Sequence, residues 1–457
     1  MVARKVDKPQ TKKGFDYDYD QVLDVVEKRF KLSASMNDRF KYARSSGLLV
    51  MDLMLGGGLI VGGMYTVAGM EQTAKSTFIM NFLAKQLSEE EPPKITAYFD
   101  GEGSFSPDYF SQMLGSKIPD TEIFGVKSQK GGYVVKPRIR YYAENRGELV
   151  MDAISAMLRR LPDKELIDEQ WYYVFENTKE NQKLLKDKYS KTLFSKYNKF
   201  YILTEDTAPQ AIFVVDSWPA LVTERSEDED ANGPGLGASA RMFAEFLPNI
   251  KGKLRRKGAL LLGVNQLREK PMAYGDPRYE PGGNALKFNS DIRIWNTARA
   301  VPHGKGQIEE EPSVTREGVD TYRYIHAKAM KNKLSTPYLE GWMRLWVSDA
   351  DGVAHGYDKV YDTFIYLKET GQCSGTMKKL TIPMLGIKKV LSWADFKGLI
   401  LLTGKPLQEL CKKLGLAKNP KLRDRCFAQI TKGEGIKLYF ETLKGSSEDE
   451  DEDEEDD

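Results

Sequence analysis

Histidine and cysteine are scarce in this 457-residue chain, with three of each. His303, His326 and His355 form no cluster, and Cys373, Cys411 and Cys426 lie far apart without the short spacings of a metal-ligand set. These absences argue against a zinc site, histidine-based catalysis and a disulfide framework, and they suit a reducing compartment. No stretch approaches the ~18–20 apolar residues that span a bilayer. Arg4, Lys5, Lys8, Lys12 and Lys13 crowd the N-terminus with no apolar run behind them, so no secretory signal and no membrane partner are expected.

What is present is the composition of a soluble globular protein, 41% hydrophobic and 29% charged, in a chain long enough for two or three domains. The charge is unevenly spread. The last ten residues, Glu448 to Asp457, are all acidic, so the net charge of +2 becomes +12 once these ten are set aside. A basic body suits a polyanionic partner, and an acidic tail suits a disordered competitor for the same surface. A tail that serves only solubility is the alternative.

Along the chain, residues 1–14 read as a basic arm, and the spacing of Val22, Leu23, Val25, Val26, Phe30 and Leu32 predicts a short helix. Met64 to Ala68, Ile95 to Asp100, Ala211 to Asp216 and Leu260 to Gln266 are apolar strands, and all but the first end in a carboxylate or amide. Helical patterns alternate with them. The fold class is therefore α/β, with a mostly parallel central sheet covered by helices.

The first of these strands runs into Gly69-Met70-Glu71-Gln72-Thr73-Ala74-Lys75-Ser76-Thr77 and then an amphipathic helix. That is a P-loop with Ala74 where the pattern has glycine. In such a loop backbone N–H groups and a helix N-terminus cradle phosphates, the lysine reaches the terminal ones, and the hydroxyl of Ser76 ligates Mg²⁺. Asp216 ends a strand of Walker B shape and would hold the Mg²⁺ through water. Asp100-Gly101-Glu102 places two carboxylates at the end of another strand, the edge where open α/β sheets bind ligands.

The order of Ser45-Ser46-Gly47, the P-loop, Asp100-Gly101-Glu102, Asp216-Ser217, Asn265-Gln266, the stretch Gly282 to Phe288 and Lys331-Asn332-Lys333 resembles the RecA family of recombinases over about residues 45–350. The resemblance implies a RecA-type P-loop ATPase core, with ATP and Mg²⁺ as cofactors. It further implies Glu102 as the residue activating the attacking water, Gln266 as a γ-phosphate sensor and Tyr109 as the ring stacked on adenine. Lys331 and Lys333 would cross a subunit interface to a neighbour's phosphate, in the manner of an arginine finger. The enlarged chain looks most like a bacteriophage member, cytoplasmic in its host. Phage members resemble it in lacking the glycine at Ala74.

Two loops after the strands ending in Ser217 and Gln266 are where DNA is expected. The second carries Arg268, Lys270, Met272, Tyr274 and Arg278 before Gly282, Gly283 and Asn284; cations there would track phosphates while apolar and aromatic groups meet base faces. Arg241 matches a basic residue near the first loop, whereas Pro248 stands where the bacterial protein has an arginine. The expected organisation is a 1–44 arm and polymerisation helix, a 45–354 core with an insertion at about 162–210, a small basic α+β domain at 355–445 and a 446–457 disordered acidic tail. The insertion mixes aromatics, Trp171 to Tyr201, with lysines and reads either as an added nucleic-acid surface or as packing on its own domain. The expected function is an ATP-dependent recombinase that forms a homo-oligomeric filament on single-stranded DNA and pairs it with double-stranded DNA, with single-strand-binding and loader proteins as further partners. A ring helicase or other DNA motor on the same core, and a filament protein with little or no ATPase activity, are the alternatives.

Overall fold

The computed structural model describes residues 43–452, apart from 116–117, 130, 169, 190–192, 197, 224–237, 271–276, 300–314, 317–318, 321, 347–355, 377 and 388. The N-terminal arm and helix, most of the first loop, Met272 and Tyr274, and the end of the acidic tail lie outside the described residues.

Nine strands make the main sheet: β1 (Met64–Gly69), β2 (Ile95–Asp100), β3 (Arg140–Tyr142), β8 (Ala211–Asp216), β9 (Ala259–Gln266), β10 (Ile292–Arg299), β11 (Tyr322–Asn332), β12 (Glu340–Trp346) and β13 (Gly356–Tyr357). Four more, β4 (Asp163–Ile167), β5 (Gln170–Glu176), β6 (Leu193–Lys196) and β7 (Lys199–Thr204), form a separate sheet. The order across the main sheet is β13-β12-β11-β10-β1-β9-β8-β2-β3. The run from β10 to β3 is parallel, and β11, β12 and β13 extend it antiparallel at one edge. A mostly parallel α/β sheet is thus the observed architecture, with a purely antiparallel edge.

Parallel strands need both faces covered, so their residues are apolar on both sides. In β8, Ile212 and Val214 face one core while Ala211, Phe213 and Val215 face the other. Helix α2 (Lys75–Leu87) covers the first face with Phe78, Ile79, Phe82 and Leu83, joined by Phe110 of α3 (Pro107–Leu114). The second face is covered by Val150, Met151 and Ile154 of α4 (Gly147–Arg160) and by Phe243, Leu247 and Ile250 of α6 (Ala238–Lys257). Pro248 is accommodated inside α6.

Strands β4 to β7, with the intervening helix α5 (Lys179–Tyr189), lie inside the segment expected to be inserted. Trp171, Phe200 and Tyr201 are buried there, while Phe194 is exposed. The fully buried Lys164 bonds the Ala208 carbonyl at 2.7 Å and lies over the Trp171 and Tyr173 rings.

The C-terminal region holds α8 (Lys359–Glu369), α9 (Trp393–Leu401), α10 (Gly404–Leu414), α11 (Leu422–Thr431) and α12 (Glu434–Glu452). Helix α12 continues past residue 445, where a disordered tail was expected to begin. This region shares a core with α1 (Leu49–Leu55), the helix after Ser45-Ser46-Gly47. Asp362 of α8 accepts the Leu49 and Val50 amides at 2.9 and 3.0 Å, satisfying otherwise orphaned donors at the start of α1. Arg423 of α11 pairs with Asp362 at 2.6 Å and donates to the Gly47 carbonyl.

Candidate functional site

The C-terminal ends of β1, β9, β8 and β2 lie side by side on one rim. Register brings Gly69 opposite Gln266 and Asp100 opposite Asp216. Everything the sequence marked at strand ends on this side of the sheet therefore converges.

Residues 69–77 turn from β1 into α2. Gln72 has φ 57° and Ala74 φ 60°, both left-handed, where side chains are normally disfavoured. The loop is held from outside itself. The Asn296 amide of β10 donates to the Thr73 carbonyl at 3.2 Å, the Tyr357 hydroxyl of β13 to the Ala74 carbonyl at 3.4 Å, and Arg323 of β11 to the Gln72 side chain at 2.8 Å. Gly69 is required by close approach: a Cβ there would stand 2.2 Å from Thr73 Oγ1 and 2.6 Å from the Asn296 carbonyl. Lys75 bonds the Met70 carbonyl at 2.7 Å; burial lowers its pKa, against the pull of Glu102, Asp216 and Glu71.

Glu102 is presented by a turn that Asp100 builds. The buried Asp100 carboxylate accepts the amides of Glu102 at 3.1 Å, Gly103 at 2.8 Å and Phe105 at 2.9 Å, together with the Tyr141 hydroxyl at 3.0 Å. Glu102 Oε1 in turn accepts from Ser217 Oγ and, at 3.3 Å, from the Gln266 amide. One carboxylate oxygen thus ties together the ends of β2, β8 and β9, and the acid stays exposed to solvent.

Asp216 is buried, and burial raises its pKa, opposed by the hydroxyls of Tyr98 and Ser76 and reinforced by Glu102 and Asp100. Its Oδ2 accepts from Tyr98 at 2.6 Å, while its Oδ1 makes no hydrogen bond. Among the described residues no group of three or more His, Cys, Asp or Glu could hold a metal by itself. A hard cation that keeps most of its waters fits this site, with Ser76 on the ion and the orphaned Asp216 Oδ1 on one of its waters. Tyr109, in α3, packs partly buried against the core beside α2, and burial raises its pKa against a bond from Thr77.

The second loop begins as a hairpin. Arg268 pairs with Tyr279 and Glu269 with Arg278, and the Lys270 amide bonds the Pro277 carbonyl. Lys270 lies over the Tyr279 ring at 5.0 Å and Arg278 over Trp295 at 5.4 Å. The base is latched by Asn265, whose amide donates to the Pro281 carbonyl at 3.1 Å, and by the buried Glu280, which accepts from Arg293 and Trp295. Gly282 and Gly283 both have positive φ and start helix α7 (Gly283–Asn289), in which Asn284 is exposed. Arg241 lies exposed near the start of α6.

Lys331 and Lys333 are not at this rim. Asn332 pairs with Ile292 and Ile292 with Tyr65, so both lysines lie beside the beginning of β1, the end remote from Gly69. Sequence reasoning also passed over Ser217, Asn296, Arg323, Tyr141 and Glu280. Ser217 stood inside a quoted motif and signalled its place; the others act through contacts between distant strands.

The family described as the RecA N-terminal domain matches residues 201–350, a span that includes Asp216, Gln266, the hairpin and both lysines but not the P-loop. Protein RecA of Trichodesmium erythraeum is 24% identical over 325 residues, 70% of this chain and 68% of that protein. Protein RecA of Gloeobacter violaceus is 24% identical over 69% of this chain and 66% of its own length, and that of Nostoc punctiforme 25% over 69% and 67%. The chain thus spans about two thirds of these relatives. Among the described residues no helix is long and apolar enough to cross a membrane. With the motifs of one rim in the family's order and these relatives across most of its length, the chain is similar to the RecA family of recombinases.

Proposed function

We propose that this protein is a DNA-dependent ATPase that polymerises on single-stranded DNA and pairs it with homologous duplex. The observation that carries the reading is the Glu102 carboxylate held between Ser217 and Gln266, with Glu102 and Asp216 both near enough to Lys75 to oppose the lowering of its pKa by burial, and the cationic hairpin starting two residues after Gln266.

In this reading residues 69–77 bind the phosphates of ATP, Lys75 neutralising the terminal ones. Mg²⁺, held by Ser76 and through water by Asp216, supplies charge compensation for the leaving phosphates. Glu102 orients the attacking water and accepts its proton, a task suited to an exposed acid fixed by two donors. Tyr109 meets the base. Gln266 senses the terminal phosphate, and its displacement from Glu102 is transmitted through Arg268 to the hairpin, whose cations Arg268, Lys270 and Arg278 face single-stranded DNA with Arg241. The coupling is reciprocal, so DNA tightens ATP binding as ATP tightens DNA binding. Lys331 and Lys333, remote from their own P-loop, act on the nucleotide of the next subunit.

Phosphate release with and without single-stranded DNA, combined with electron microscopy in a non-hydrolysable ATP analogue, tests this. DNA-stimulated release and helical filaments are expected. Closed rings would favour a motor on the same core, and filaments without phosphate release would favour a binding protein without ATPase activity.

A further inference from the structure

The end of the sheet opposite the P-loop holds a second charged assembly. Asp291, just before β10, anchors β1 by accepting the Met64 amide at 3.0 Å on Oδ2. Its Oδ1 meets Lys251 at 2.9 Å, Lys333 at 3.1 Å and Arg255 at 3.5 Å. Lys331 stands beside them, donating to the Lys287 and Phe288 carbonyls at 2.7 and 3.0 Å. Arg293, the other nearby cation, is spoken for by Glu280.

Three cations therefore contact one carboxylate, and a fourth, Lys331, stands beside them. Lys251 is nearly buried, its side chain 12% exposed, and it comes from α6 rather than from the segment that carries Lys331 and Lys333. Crowding like charges in partial burial is costly unless an anion joins them. The crowding is felt locally: burial first, then Lys333 and Lys251, bring Lys331 down to about 8. Lys251 also donates to the Asn289 carbonyl, and one carboxylate oxygen is shared by Lys251, Lys333 and Arg255; a phosphate would bring further negative charge and acceptor oxygens to them.

We propose that Lys251 is a third cation, with Lys331 and Lys333, for the terminal phosphate of a nucleotide bound by a second copy of this chain, and that Asp291 is the positioning residue that holds Lys251 and Lys333 in place. The inference rests on the reading of Lys331 and Lys333 as acting across a subunit boundary, and adds to it a residue from another element. Helix α6 then has a double attachment. Arg241 near its start belongs to the DNA side, and Lys251 lies ten residues on, about 15 Å along the axis. The same helix, with Pro248 between the two positions, would then meet both ligands.

The test uses the full chain on single-stranded DNA, with filaments counted by electron microscopy and ATP turnover resolved into kcat and KM. Lys251→Met should lower kcat about tenfold or more while KM for ATP and filament formation hold, because an interaction made mainly with the reacting phosphate is lost. Lys251→Arg should restore much of the rate, and Asp291→Asn should lower kcat in the same way. Turnover of Lys251→Met within about twofold of the parent overturns the proposal. So does a loss confined to filament formation or thermal stability, which marks a merely structural lysine. Lys333→Ala separates the two readings. If it is inactive while Lys251→Met is normal, only the third-cation inference fails; if it too turns over normally, the cross-subunit reading fails with it. Mixing equal amounts of Lys251→Met and Glu102→Gln chains should recover about a quarter of parental turnover, since a head-to-tail row then contains intact P-loops facing intact clusters. No recovery overturns action across the boundary.

Discussion

Asp52 offers a stability test that is independent of any ligand. Its side chain is completely buried in α1 and accepts hydrogen bonds from Ser45 Oγ at 2.5 Å and the Ser46 amide at 2.7 Å. Burial, assisted by the nearby Asp362, pushes its carboxyl up to about 7 against the pull of Ser45 and Ser46, whereas an ordinary aspartate titrates near 3.8. Below the ordinary value, folded and unfolded chains both hold the proton and the contribution of Asp52 is fully present. As pH rises toward about 7 only the folded chain keeps it, and stability falls by ~1.4 kcal/mol per pH unit. Over a window of about three units the loss reaches about 4 kcal/mol, and above the folded value it grows no further. Asp52→Asn preserves shape, leaves an oxygen for Ser46 and an amide for Ser45, and removes the titration. Urea unfolding of both proteins from pH 4 to 8 should show the variant no more stable than the parent at pH 4 and gaining on it steadily, by up to about 4 kcal/mol at pH 8. Other titrating groups cancel in the difference. A difference that stays flat from pH 4 to 8 would refute the reasoning.

Three further changes probe the P-loop rim. Ala74→Gly relieves a left-handed alanine, worth ~1–2 kcal/mol, but gives up a buried methyl worth ~0.8 kcal/mol and loosens the unfolded chain by ~0.5–1 kcal/mol; thermal melting should shift little and turnover should persist. Gly69→Ala drives a methyl into Thr73 and the Asn296 carbonyl, and titration with a fluorescent ATP analogue should show affinity lowered about tenfold or more. Glu102→Gln keeps the contacts with Ser217 and Gln266 yet lacks the base, so phosphate release should drop by ~10²–10⁴-fold while ATP binding survives. A Glu102→Gln enzyme that releases phosphate at the parental rate would remove the acid from the mechanism.

The parallel sheet was legible because buried strands such as Ala211–Asp216 and Ala259–Gln266 are apolar on both faces and end in polar groups. The convergence of Glu102, Asp216 and Gln266 follows from that pattern once the strands are neighbours. The strain at Ala74 was only conditional in sequence, since a residue's φ is fixed by its surroundings, here by Asn296, Tyr357 and Arg323 holding the loop from three other strands. Asp100 read as a strand-end carboxylate, but its work as the acceptor for three amides depends on a turn no spacing reveals. The hairpin of Arg268 to Tyr279 was hidden for a similar reason: its cations rest on Tyr279 and Trp295, and Trp295 belongs to a strand beyond the loop.

The distance between the two ends of β1 has a consequence for bookkeeping along a polymer. Gly69 closes one end of that strand and the lysine cluster flanks the other, so a molecule joined head to tail lends at one face what it borrows at the opposite one. If the proposed cross-subunit action holds, a solitary copy would complete no site and a row of n copies would complete n − 1. Output per molecule would then climb with row length and level off. The two tips would also differ in kind: one would display an unfinished P-loop whose nucleotide outlives those in the interior, the other a bare cluster of cations open to the next arrival.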